Sequence, residues 1–191
     1  MFNPKIILAS QSPRRKELLQ LAEIDFNVIV ANTDESYPTG LSFEEIAIHI
    51  AKNKAHAVAD QNKTDKVIIA ADTIVVCNGE VIGKPINKED AVKIISKLSG
   101  NTHSVITGVY IVQKDKEFFF ADKTAVTFHT LTQTQIKYYV NKYKPFDKAG
   151  AYAIQEWIGA VGIKNINGDF YNVMGLPISR VVEALQQFNC N

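Results

Sequence analysis

The chain has 191 residues, of which 46% are hydrophobic and 21% charged, a composition typical of a globular protein with a sizeable core. Its 21 lysines and arginines nearly balance its 20 aspartates and glutamates, so no broad basic field for nucleic acid or an anionic membrane exists. The two cysteines, Cys77 and Cys190, suggest neither a metal site nor a disulfide framework. We expect a cytoplasmic protein, because the apolar run at the amino terminus is too short for a signal peptide or a spanning helix.

The first elements predicted along the chain are a buried strand and a helix. The run KIILA, over 5–9, is short, apolar and bounded by turn formers. Ser12 can cap a helix with Pro13 at its first position, where the missing N–H costs nothing. This helix should continue to about Leu21.

A second strand over 26–30 and a second helix follow. Ser42 and Glu45 form a capping box for that helix, which should end near Asp60. The apolar run over 67–71 then predicts another fully buried strand.

Hairpin and cap signals organise the middle of the chain. Asn78-Gly79 between apolar stretches predicts a type I′ hairpin turn, and Asn87 can cap a third helix. The alternating segments 104–112 and 118–128 should pair as a long antiparallel hairpin.

Thr132 and Gln135 form another capping box near the start of the last third. We then expect short strands over 160–163 and 170–173 and a last helix over 177–186. Helices and strands alternate without a linker, which predicts one α/β domain over 1–191, built on a mixed twisted sheet with flanking helices.

Positive charge collects where the first strand meets the first helix. Arg14 and Arg15 occupy the first helical turn, where the helix dipole and the free N–H groups favour an anion such as phosphate. The alternative is a pair of solvated arginines that tolerate a small electrostatic penalty.

Carboxylates follow two of the predicted strands. Asp72 comes directly after the 67–71 run, and Glu35 follows the second strand. Together they could hold a hard divalent ion, which takes few carboxylates and keeps several waters. A turn-capping aspartate and an ordinary acidic loop are the competing interpretations.

Three further polar residues occupy informative positions. Lys54 falls on the apolar stripe of the second helix, so its side chain either extends to solvent at the edge of the core or points into a cleft. Lys84 lies in the turn GKP, where lysines are usually solvated. Gln155 ends an apparent strand, and its amide offers the donor and acceptor that suit a pyrimidine edge.

Other catalytic chemistries lack their motifs. The chain has no HExxH, GxSxG, Walker A or GxGxxG sequence. Its histidines have neither ligand spacing nor a partner acid, so we interpret them as structural: His49, His56, His103 and His129. The remaining pattern of arginines and lysines with a few acids suits a phosphate chain and a divalent ion.

Together these segments resemble the Maf family of nucleoside triphosphate pyrophosphatases. The matching motifs follow the family order over nearly the whole chain: LASQSPRR (8–15), DES (34–36), KNKA (52–55), AADT (70–73), GKP (83–85), SGNTHSVITG (99–108), DKAGAYAIQ (147–155) and GDFYNVMGLP (168–177). The resemblance implies hydrolysis of a nucleoside triphosphate to the monophosphate and pyrophosphate. It also implies two lobes around a substrate cleft, as in inosine triphosphate pyrophosphatases, a homodimer, and Mg²⁺ or Mn²⁺ as cofactor.

The resemblance also assigns residues. Asp72 matches the catalytic acid of the family, and Arg14, Thr73 and Gln155 match the positions that distinguish the dTTP/UTP subgroup from the subgroup acting on 7-methyl-GTP. The complete set of expected substrate-binding residues is Ser10, Arg14, Arg15, Lys54, Thr73, Lys84 and Gln155, with Glu35 and Asp72 as metal ligands. One departure is Glu156, where the family pattern has glycine.

Two questions stay open at the level of sequence. The substrate could be a standard pyrimidine nucleotide or a modified one. A non-catalytic nucleotide-sensing regulator of cell division is the alternative function, although the chain keeps Asp72 and the lysines that such a protein could lose. We expect no nucleic-acid or membrane partner.

Overall fold

Strands and helices alternate through residues 6–188, which are the residues that the computed structural model describes. The elements are β1 (Ile6–Leu8), α1 (Pro13–Leu21), β2 (Phe26–Val28), α2 (Phe43–Asn62), β3 (Val67–Cys77), β4 (Glu80–Ile82), α3 (Lys88–Leu98), β5 (Thr102–Gln113), β6 (Lys116–Phe128), α4 (Gln133–Tyr143), a short 3₁₀ helix (Ala149–Ala151), α5 (Trp157–Gly162), β7 (Ile163–Asn167), α6 (Phe170–Met174) and α7 (Ile178–Gln186). Lys5 and Cys190, which the sequence predictions include, lie outside the described residues.

The strands form a seven-stranded sheet in the order β2-β1-β3-β5-β6-β7, with β4 paired to β3. β1 is parallel to both β2 and β3, whereas β4 and β7 pair antiparallel to their neighbours. The predicted mixed α/β fold is therefore confirmed. None of the described helices has the length and apolar character needed to cross a membrane.

The chain divides into two compact units. The first contains the described residues through Asp72, Thr107–Asp122 and the described residues from Gly175 onward, and the second contains Thr73–Ile106 and Lys123–Met174. Strands β3, β5 and β6 contribute residues to both. That the whole chain is a single domain stays a prediction.

In the first unit, α2 packs closely against β5. Ser42 and Glu45 form the predicted capping box at the start of α2. A methyl group at Gly108 of β5 would lie 2.3 Å from the backbone carbon of Ala47, so only glycine permits this approach. The hydrophobic core between α2 and the sheet contains alanines of the helix and larger residues of the strands: Ile7, Ala51, Ala55, Ile68 and Tyr110.

In the second unit, local signals fix several elements as predicted. Asn78 and Gly79 have φ values of 52° and 77°, as a type I′ turn requires, and they join β3 to β4. The side chain of Asn87 accepts a hydrogen bond from the Asp90 N–H at the start of α3. Thr132 and Gln135 form the predicted capping box of α4.

Three predicted strands are wrong. Residues 160–163 largely belong to α5, residues 170–173 belong to α6, and the segment ending at Gln155 is a turn that follows a 3₁₀ helix. Short apolar runs do not distinguish strand from helix by periodicity, so tertiary contacts decide. At α6 the buried Asn172 side chain donates hydrogen bonds to the Val105 carbonyl and the Thr124 hydroxyl, which anchors the segment as a helical turn.

Candidate active site

The loop after β1 is organised by a buried arginine. Arg15, only 8% exposed, donates from Nε to the Gly175 carbonyl at 2.8 Å and from Nη1 to the Ser10 hydroxyl oxygen at 3.0 Å. Burial lowers the pKa of Arg15, and the nearby carboxylate of Asp72 opposes that effect. Arg15 thus ties this loop to the segment that precedes α7.

Ser10 is held with its hydroxyl oriented. Its oxygen accepts hydrogen bonds from the Ser12 N–H at 3.2 Å and from Arg15. A hydroxyl has two acceptor lone pairs and one O–H donor, so these two contacts leave the donor for an anion. Ser12 occupies the cap position of α1 as predicted, but its side chain makes no capping hydrogen bond.

A lysine ammonium lies between two carboxylates in the same unit. Lys54 Nζ is 2.6 Å from Asp72 Oδ1 and 2.8 Å from Glu35 Oε1. The side chains of Lys54 and Asp72 are only 18% and 13% exposed, whereas that of Glu35 is 50% exposed. The position of Lys54 on the apolar stripe of α2 therefore brings its charged end to Asp72.

The two carboxylates fit a small divalent ion. Glu35 Oε1 and Asp72 Oδ1 both contact Lys54 Nζ, so these two oxygens are separated by no more than the sum of the two contact distances. The part of the chain that the structure describes contains no cluster of three or more acidic, histidine or cysteine ligands. Mg²⁺ often takes one or two protein carboxylates and completes its shell with water and substrate phosphate, so the donor set is adequate.

Asp72 and Thr73 form the interruption in an otherwise buried strand. Every other residue of β3 is buried, and these two are partly exposed. Thr73 belongs to the second unit, as do Lys84 and Gln155. Ser10, Arg14, Arg15, Glu35, Lys54 and Asp72 belong to the first.

Lys84 and Gln155 are exposed on turns of the second unit. Lys84 follows Gly83, whose carbonyl accepts a hydrogen bond from the Gly150 N–H at 3.2 Å. The residues just before Gln155, over 151–154, are all buried. The turn therefore presents the Gln155 amide to solvent from a well-packed base.

The sequence predictions missed a buried polar network behind Gln155. The hydroxyl of Tyr139 donates to the Glu156 carboxylate, and Lys148 Nζ lies 3.7 Å from the same carboxylate. Lys148 is within the DKAGAYAIQ motif, and Glu156 follows that motif directly. The sequence therefore pointed to Lys148 and Glu156, but only the fold shows that the Tyr139 hydroxyl contacts Glu156.

Two histidines have partners that the sequence did not reveal. His56 Nε2 lies 3.3 Å from the Glu117 carboxylate, so the expectation that no histidine has a partner acid is wrong. His103 is buried against Phe128 and Tyr152, with Nε2 2.8 Å from the Tyr152 hydroxyl. Burial lowers the pKa of His103 to about 4, so the ring is neutral at physiological pH.

Comparisons with known proteins identify relatives over nearly the whole chain. A family model described as "Maf-like protein" matches residues 5–188. A protein from Cytophaga hutchinsonii named dTTP/UTP pyrophosphatase is 52% identical over 187 residues, covering 98% of this chain and 85% of the relative. One of the same name from Parabacteroides distasonis is 49% identical, covering 96% of each.

The fold is also found in a solved structure. The Ham1 protein of Staphylococcus aureus superposes with a TM-score of 0.53, covering 96% of this chain and 98% of that one. At 17% sequence identity this likeness concerns the fold alone.

Proposed function

Because the chain belongs to the Maf-like protein family, we propose that it is a nucleoside triphosphate pyrophosphatase that hydrolyses dTTP and UTP to the monophosphate and pyrophosphate. The names of relatives at about half identity over nearly the full chain support this substrate class. The structural observation that carries the proposal is the Lys54 ammonium between Asp72 and Glu35, in the unit that also contains Ser10 and Arg15.

Asp72 acts on the water nucleophile in this proposal. Its Oδ1 contacts Lys54, which fixes the carboxylate and leaves Oδ2 to orient or deprotonate a water. That water attacks the α-phosphorus, and the bond to the bridging oxygen breaks so that the oxygen leaves with pyrophosphate. Lys54 holds the Asp72 carboxylate in position, and the half-exposed Glu35 contacts Lys54 from the other side.

Glu35 and Asp72 are also the residues that would hold Mg²⁺ or Mn²⁺. When bound, the ion would offset the negative charge on the pyrophosphate leaving group. Lys54 already brings these two carboxylates together, so little rearrangement of the backbone is needed to present them to a cation.

The phosphate chain is bound by groups from the loop after β1 and by lysines. The Ser10 hydroxyl donates a hydrogen bond to a phosphate oxygen, and Arg14 and Arg15 supply positive charge at the start of α1. Lys84 contributes a further ammonium. Phosphoryl transfer relies mostly on such positioning and charge stabilisation, so a fixed set of donors is what the reaction needs.

Gln155, with Thr73 and Arg14, selects the pyrimidine. An amide offers one acceptor and two donors, which can match the carbonyl and N–H edge of thymine or uracil. Support comes from the exposure of Gln155 on a turn whose preceding residues, over 151–154, are buried. The proposed enzyme works as a cytoplasmic homodimer, as the family resemblance implies.

The test is pyrophosphate release from a panel of nucleotides with Mg²⁺. We expect rapid release from dTTP and UTP and much slower release from GTP and ATP, with the monophosphate as the second product. Release of single phosphates, or turnover of no nucleotide on the panel, would refute the proposal. Tight dTTP binding without turnover would instead favour the nucleotide-sensing regulator.

A further inference from the structure

The turn that presents Gln155 is fixed from several directions. Tyr152, Ala153 and Ile154 are each no more than 6% exposed, whereas Gln155 is exposed. The Glu156 N–H donates to the Ala153 carbonyl at 3.1 Å, which closes the turn around Gln155. The backbone of this turn therefore determines where the Gln155 amide lies.

The hydroxyl of Tyr139 joins both ends of this turn. Tyr139 belongs to α4 and has no accessible surface. Its oxygen accepts a hydrogen bond from the Ala153 N–H at 3.1 Å, and its O–H donates to the Glu156 carboxylate. One buried hydroxyl thus holds the residues on either side of the Ile154-Gln155 pair.

Lys148 completes the network from the start of the same segment. Its Nζ lies 3.7 Å from the Glu156 carboxylate and 2.7 Å from Asp147 Oδ1. The side chain of Lys148 is 11% exposed and that of Glu156 is 22% exposed, so the pair is largely removed from water. The Glu156 carboxylate is therefore held by its hydrogen bond from Tyr139 and by the positive charge of Lys148, which together define its position.

From this geometry we propose that Tyr139, Glu156 and Lys148 are positioning residues for nucleotide selectivity. They touch no substrate; they fix the turn so that Gln155 meets the pyrimidine edge in one orientation. The inference rests on the proposed function, because it assigns the network a role in the base selection proposed for Gln155.

The experiment compares selectivity in two matched variants, Tyr139→Phe and Tyr110→Phe. Both tyrosines have no accessible surface, and Tyr110 belongs to the first unit, where its hydroxyl contacts His56. The measured quantity is the ratio of kcat/KM for dTTP to kcat/KM for GTP. We expect Tyr139→Phe to lower this ratio about tenfold, the change produced by loss of one hydrogen bond to a charged group. Tyr110→Phe should leave the ratio unchanged.

A double-mutant cycle tests whether the effect passes through Gln155. In a Gln155→Ala background, Tyr139→Phe should change the ratio no further, because the amide that it orients is gone. An equal additional loss in that background would overturn the proposal. So would a ratio that Tyr139→Phe leaves at the wild-type value.

A second substitution keeps the proposal testable if Tyr139→Phe folds poorly. Glu156→Gln retains an oxygen to accept from Tyr139 and should lower the ratio less than Glu156→Ala does. If Glu156→Gln and Glu156→Ala both have the same dTTP-to-GTP ratio as the wild type, the proposal is overturned. A wild-type protein that turns over dTTP and GTP equally would overturn the base-selection role itself, and the proposal with it.

Discussion

Lys54→Met should expose the repulsion between the two carboxylates that Lys54 now separates. Methionine preserves most of the apolar stem of the lysine within the stripe of α2, so the substitution removes mainly the charge. Lys54 Nζ lies 2.6 Å from Asp72 and 2.8 Å from Glu35. Without it, two negative groups face each other with no counter-charge from this helix.

The size of the effect follows from the exposure of the groups. Removing one partner of a fully buried ion pair costs about 3–5 kcal/mol, and removing one from an exposed pair costs about 0–1 kcal/mol. The side chains of Lys54 and Asp72 are 18% and 13% exposed, but that of Glu35 is half exposed. We therefore expect Lys54→Met to lower the free energy of unfolding by about 2 kcal/mol. In a chain of this size that lowers the Tm by about 4–8 °C.

Thermal unfolding in EDTA and in excess MgCl₂ measures both consequences. In EDTA the variant should melt below the wild type. Mg²⁺ should raise its Tm by more than it raises that of the wild type, because the carboxylates no longer have a lysine competing for them. Lys97→Met is the matched control, since Lys97 pairs with Glu80 in an exposed bridge, and its Tm should hardly change. A Tm in EDTA equal to that of the wild type would refute the electrostatic reasoning, and an equal Mg²⁺ response would refute the shared metal site.

Two further predictions concern the second unit. Gly159→Ala would put a methyl group 1.7 Å from the Ile154 carbonyl oxygen, so urea denaturation should show a free energy of unfolding lower by about 3 kcal/mol or more. Gly83 has open space around it, so Gly83→Ala is the control and should be nearly neutral. Similar values for both variants would contradict the close approach at Gly159. Burial lowers the pKa of His103 from 6.5 to about 4, so as pH falls through this window the unfolded chain binds a proton that the folded chain does not, and stability falls by about 3 kcal/mol. The unfolding free energy of His103→Phe should therefore decline less steeply from pH 6.5 to pH 4 than that of the wild type, and parallel curves would contradict the assignment.

Local sequence signals predicted the elements that local interactions determine. The capping boxes at Ser42 and Thr132 and the Asn78-Gly79 turn each involve residues within a few positions, so the same atoms meet in any fold that contains the element. For Lys54, the sequence left two alternatives, a side chain that extends to solvent or one that points into a cleft, because helical periodicity fixes a face but not what covers it.

The wrong predictions involve segments whose conformation depends on distant residues. The short run 170–173 was predicted to be a strand, but Asn172 forms hydrogen bonds with residues 67 and 48 positions away, which no local pattern encodes. Tyr139 and Glu156 are 17 residues apart and meet only because α4 packs under the turn. The proposed catalytic and specificity residues come from the family motifs, whereas the contacts of Tyr139 with Ala153 and Glu156 are visible only in the fold.

Pyrophosphate release from dTTP by Asp72→Asn tests the proposed mechanism at its catalytic residue. Asparagine has nearly the same shape and can still accept from Lys54 through its amide oxygen, so the variant should fold with a Tm close to that of the wild type. It cannot take a proton from water and has no charge to share with a divalent ion, so kcat should fall by about 100-fold or more. Wild-type turnover in the folded variant would contradict the proposed role of Asp72 in activating the attacking water.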